Sequence, residues 1–249
     1  MILRRVIAHF KKQEWTAIAI DFLIVVVGVF VGLQVNNWNI AQAEQRREAA
    51  YLQRLHSDLD ALEATAYRLD KSVASRVAGA DRVLDAVHGR DMTVTALDAQ
   101  ACDSIARLHI FYLEGYALPA LDELIASGQV GLISDQALLK ALSDYLSFAR
   151  AMPSRADAVS ARAPILRQEF PSAITTRAAI IDGVRTVTNE CDLAAMQSDP
   201  AFLNAFTEVH ERAGFFHRRF LAPERALIER VHIELDRVLA VDHAIEANK

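Results

Sequence analysis

Residues 15–35 read WTAIAIDFLIVVVGVFVGLQV, an unbroken apolar run whose last twenty positions carry a single charge, Asp21. At about 1.5 Å per residue those twenty cover about 30 Å, the thickness of a bilayer's hydrocarbon core. The pattern therefore predicts one membrane-spanning helix over residues 15–38. The only two tryptophans, Trp15 and Trp38, bracket it where indoles sit at the two headgroup levels. From Leu52 the pattern turns periodic. Leu52, Leu55, Leu59, Leu62, Ala66, Leu69, Val73, Val77, Ala80, Leu84 and Val87 recur at steps of three and four. That is the seam of a long amphipathic helix, ending at about residue 88 before Gly89. Counted from Ile40 it runs for about 70 Å, more than the width of a compact domain, so its first part is expected to form a stalk. Past Leu69 the seam is mostly alanine and valine, which favours packing against later helices of the same chain over a long parallel dimer.

The remainder carries helical spacing too. Residues 98–113 are apolar at Ile105, Leu108 and Phe111, and Pro119 opens a helix that stops at Gly128. Ser134 or Asp135 caps the next, with Leu138, Leu142 and Tyr145 on its buried side. Further helices are expected over residues 154–170, kinked at Pro164, and over 172–182. Asp199-Pro200 starts one that continues through Phe220, and Pro223 begins or kinks a last one lined by Leu227, Val231, Leu235 and Leu239. Only residues 180–187 could pass for a strand. The expected fold class is all-α: one transmembrane helix continuing into or followed by a long stalk helix, then an antiparallel helical bundle, the whole of residues 39–249.

Charge adds an orientation. Arg4, Arg5, Lys11 and Lys12 precede the run, against Arg46 and Arg47 after it. Positive flanks stay cytoplasmic, which puts residues 1–14 inside, the C-terminal domain outside the cytoplasm and the chain in a bacterial inner membrane as a single-pass protein. Within 1–14, Ile2, Leu3, Val6, Ile7 and Phe10 fall at helical spacing among the basic residues, as in a helix lying in the headgroup layer. Ala41-Gln42-Ala43 offers a rival reading as a signal-peptide cleavage site. A retained anchor is preferred, because the apolar core exceeds the length of a signal sequence and contains a carboxylate. Removing the first 39 residues, with four basic and two acidic side chains, leaves the rest at a net charge of −7. That balance argues against nucleic acid as a partner.

On a helical wheel Ala17, Asp21, Gly28 and Gly32 share one stripe. Gly28 and Gly32 form a G-x-x-x-G pair that lets a second helix approach at backbone distance, and an acid at this depth faces protein more often than lipid. The stripe points to a helical partner, in a membrane or periplasmic protein or in a second copy. Two copies would bring two Asp21 carboxylates together, which is tolerable only if they share a proton or stay apart. A layout with an acid early in a single span also occurs in proton-coupled accessory subunits, a further alternative.

The run RRVIAHFKKQEWTAIAIDFLIVVVGVFVGLQVNNWN, with the looser later match ALDELIASGQVGLISDQALLKALSDYL, resembles a family of uncharacterised bacterial proteins with a single N-terminal transmembrane anchor. The resemblance covers about a quarter of the chain. It implies the architecture and carries no activity.

Candidate chemistry is sparse. Cys102 and Cys191 fall in separate segments and, in an oxidising compartment, are expected to pair; two buried free thiols are the alternative. Glu229 and His232 form an E-x-x-H pair, Asp85 and His88 a D-x-x-H echo, and His232, Asp236 and His243 share a helix face. A solvated surface explains these better than a metal site, which needs ligands converging from several helices. His210, Arg212, His217, Arg218 and Arg219, interleaved with Phe215, Phe216 and Phe220, read as a helix with one aromatic core face and one wet basic face. No catalytic residue, cofactor or metal is assigned. The expected function is a membrane-anchored helical module that binds a protein partner. A ligand-sensing bundle working through a partner is the alternative.

Overall fold

The computed structural model describes residues 15–111, 118–181 and 183–241. The basic segment 1–14, Tyr112 and Leu113, Asp182 and His243 lie outside the described residues. The chain divides into two units, Met1–Tyr51 and Leu52–Lys249. Helix α1, Trp15–Val87, supplies the described part of the first and the opening element of the second.

In the first unit, α1 carries the only helical stretch among the described residues that is long and apolar enough to cross a membrane. Its described large apolar side chains are exposed, from 45% at Val26 to 70% at Phe22.

The second unit is built on the remainder of α1. Leu52, Leu55, Leu59, Leu62, Ala66, Leu69, Val73, Ala80 and Val87 are all buried within the chain, and the helix ends before Gly89, whose φ of +67° suits glycine. Along this seam the C-terminal half of the chain runs antiparallel. The amide of Gln197 bonds the Ala86 carbonyl, His210 meets Asp81, His217 meets Asp70, and His232 meets Glu63. The short helices α2 (Ala99–Ala106) and α3 (Pro119–Ala126) follow, then α4 (Gln136–Ser160) and the single turn α5 (Leu166–Glu169). Asp98 and Asp135 cap α2 and α4 through their side chains. Helix α4 runs through Pro153 without a break at Ser154, because the buried Met152 and Ala156 hold both sides of the proline against the core.

The all-α expectation needs one correction. Residues 174–181, part of the 172–182 stretch expected to be helical, form a strand: β1 (Ile174–Ile181) pairs antiparallel with β2 (Val184–Cys191), Ile174 opposite Cys191 and Ile181 opposite Val184. Isoleucine, valine and threonine dominate both strands, and β-branched side chains sit more easily on a pleated sheet than in a helix. Gly183 takes the left-handed conformation the tight turn requires, φ +78°. The base of the hairpin is fixed to α2: Cys102 and Cys191 are joined by a disulfide with Cα atoms 5.7 Å apart. Beside it Asn189 donates to Asp103 and accepts from Thr176.

Helices α6 (Leu193–Ser198) and α7 (Pro200–Phe216), capped by Asp192 and Asp199, lead through a π-helical turn (His217–Leu221) into α8 (Ala222–Leu239). The widened turn lies just before Pro223, which has no N–H for the Arg219 carbonyl and whose ring would crowd it. Phe202, Phe206, Phe216 and Phe220 form an aromatic core with Phe111 and Phe170.

Candidate functional site

On the first unit's α1, Asp21, Gly28 and Gly32 are exposed, and a Cβ added at either glycine would meet nothing within 4 Å. The stripe is thus open at backbone level. Trp15 and Ala17 belong to the helix, but their side chains lie outside those described; Trp38 is exposed.

The second unit holds a cluster that sequence reasoning did not assemble. Antiparallel packing of α8 on α1 faces two acid–histidine sets. His56, Asp60 and Glu63 occupy one face of α1, at spacings of four and three; His232 and Asp236 occupy one face of α8, at a spacing of four. Two side chains of this set are deeply buried, His232 at 5% and Asp236 at 3% exposure, so the solvated face expected for them is corrected to a buried one. Glu229 stays half-buried outside the cluster, and Asp85 and His88 are exposed, Asp85 pairing with Arg90.

The contacts are dense. His232 Nδ1 donates to Glu63 Oε2 at 2.5 Å, and its Nε2 lies 3.3 Å from His56 Nε2, 3.4 Å from Asp60 Oδ1 and 3.7 Å from Asp236 Oδ1. His56 Nε2 meets Asp236 Oδ1 at 2.8 Å, and its Nδ1 lies 3.3 Å from Asp60 Oδ2. The imidazoles pack edge to face, with centroids 4.9 Å apart. The hydrogen bond to Glu63 raises the pKa of His232 most; burial opposes the rise, and the charges of Asp236, Glu63 and Asp60 add to it. Asp60 and His56 keep part of their side chains in solvent, so the cluster is open on that side.

The histidines of the basic-aromatic stretch are turned inward to acids of α1. His210 meets Asp81 at 2.6 Å, while Asp70 receives both His217 and Arg225 at 2.9 Å. Phe216 and Phe220 are buried, and Phe215 is exposed.

The separate halves of the cluster were visible as H-x-x-x-D-x-x-E near residue 56 and H-x-x-x-D near residue 232. Only the pairing of two helices more than 160 residues apart along the chain joins them. Comparison with known protein families, curated proteins and solved structures returns no match for this chain.

Proposed function

We propose that this protein is a membrane-anchored helical module that engages a protein partner, with its first unit in the bilayer and its second on the extracytoplasmic side. The observation that carries the reading is the sleeve of apolar side chains from Ile20 to Val35, all of them exposed. An apolar surface of that extent is not stable in water, and lipid or another protein must cover it. Two features of the sleeve favour a helix as part of that cover. The open approach at Gly28 and Gly32 admits a close backbone, and a carboxylate at Asp21 is costly against lipid alone. The flanking charges orient the span with residues 1–14 in the cytoplasm of a bacterial cell. The disulfide is the expected state of a cysteine pair on the far side of that membrane.

The test is crosslinking in intact cells. A discrete membrane partner captured by the wild type and lost with Asp21→Ala or Gly28→Leu supports the reading. Unchanged capture by the double variant removes the stripe as the docking face. Capture of a second copy alone assigns the stripe to self-association.

A further inference from the structure

We propose that His56, Asp60, His232 and Asp236 form a binding site for a first-row divalent transition ion, of which zinc is the natural probe. The donor spacing carries the argument. A tetrahedral zinc with bonds of about 2.0–2.1 Å holds neighbouring donor atoms about 3.3 Å apart. Here the two Nε2 atoms stand 3.3 Å apart, His232 Nε2 and Asp60 Oδ1 3.4 Å, and His232 Nε2 and Asp236 Oδ1 3.7 Å. One donor atom from each of His56, Asp60 and His232 fits within a sphere of mutual distances below 4.8 Å. Asp236 Oδ1 lies beside these three donors, 2.8 Å from His56 Nε2 and 3.7 Å from His232 Nε2.

The supporting shell fits as well. Glu63 accepts from His232 Nδ1, which fixes the tautomer and aims the Nε2 lone pair at the other donors, the carboxylate–histidine arrangement of metal sites. His56 has Asp60 Oδ2 3.3 Å from its Nδ1, a carboxylate partner on the ring nitrogen opposite Nε2. Three carboxylates supply the negative charge a divalent cation offsets, and two imidazoles add nitrogen donors. The partial exposure of Asp60 and His56 gives the ion an entry path. Two imidazole nitrogens disfavour magnesium and calcium, which take oxygen ligands, and favour the zinc end of the first row.

The experiment uses the full chain in detergent, stripped with chelator, and measures zinc uptake by equilibrium dialysis and cobalt uptake by the visible absorption of a tetrahedral site. The wild type is expected to take up one ion per chain. His56→Ala and Asp60→Asn, which alter partly exposed side chains and spare the core, each lower affinity about 100-fold or more, and Glu63→Gln lowers it about 10–100-fold without changing the stoichiometry. A variant altered at Asp85 and His88, both exposed and remote from the cluster, binds as the wild type does. Zinc uptake by wild type no tighter than by the His56→Ala/Asp60→Asn double variant would overturn the proposal and leave the cluster a charged hydrogen-bond network. So would equal losses from the Asp85 and His88 changes. A tetrahedral cobalt spectrum in the wild type, absent from Asp60→Asn with its helical circular dichroism intact, would uphold it.

Discussion

Gly79 packs α1 against Ser104 of α2: a Cβ there would collide with the Ser104 Oγ and lie 2.8 Å from its Cβ, closer than packed atoms allow. Alanine gains about 1 kcal/mol of helix propensity over glycine, but overpacking costs about 1–3 kcal/mol, and the clash includes a Cβ on a second helix rather than a flexible tip alone. Gly79→Ala should therefore lower the thermal midpoint, and adding Ser104→Gly should recover most of the loss. A more stable single variant would mean the helices can part freely. Glu224 is the other residue whose environment makes a measurable claim. It is 1% exposed on α8, its Oε1 has no hydrogen-bond partner, and burial raises its pKa to about 7. The folded chain thus holds this proton more tightly than the unfolded one. Its contribution is most favourable below the unfolded pKa and is lost as pH rises from about 4.5 towards 7, reaching a cost on the order of 3 kcal/mol above that. Glu224→Gln should match the wild type in denaturant midpoint at pH 5 and exceed it at pH 8. Equal differences at both values would show that the carboxyl does not change its protonation over that range.

At the scale of elements, α3 depends on α1 for its start. Leu118 offers no side-chain cap, and the Ala120 amide is instead taken by Asp58 Oδ2 at 2.8 Å. Asp58→Ala should cost about 1 kcal/mol, the usual worth of an N-cap, with the loss seen as earlier hydrogen exchange along residues 119–126. Protection unchanged there would mean that Pro119 alone sets the helix. The disulfide closes 89 residues of chain between α2 and β2. Loop-closure entropy assigns such a link about 4–5 kcal/mol at most, so Cys102→Ala/Cys191→Ala should lose several kcal/mol in oxidising buffer. A loss under 1 kcal/mol would show that the denatured chain is already confined. Elements with local signals were legible in the sequence. The α1 seam, the Asp98, Asp135 and Asp199 starts and the Gly89 and Gly128 stops need only neighbours a few residues away. The hairpin was misread because short apolar runs do not distinguish strand from helix by period, although Asp182-Gly183 between β-branched runs is the sequence mark of a tight turn. The metal-type cluster was legible only as two separate halves, one around His56 and one around His232. His56 and His232 each look like a surface residue on its own helix, and only the antiparallel pairing of α1 with α8 buries His232 and Asp236 together.

For the whole molecule, everything proposed about location and partner rests on residues 15–38 remaining in a bilayer. Their exposed apolar sleeve and the bundle of the second unit have opposite solvent requirements, as an anchored domain does. The most direct test is to wash cell membranes at alkaline pH, which strips peripheral proteins, and to map the retained chain by mass spectrometry. Retention in the membrane fraction, with peptides covering residues 15–38, is the predicted result. A chain recovered in the wash and lacking everything before Glu44 would contradict the account.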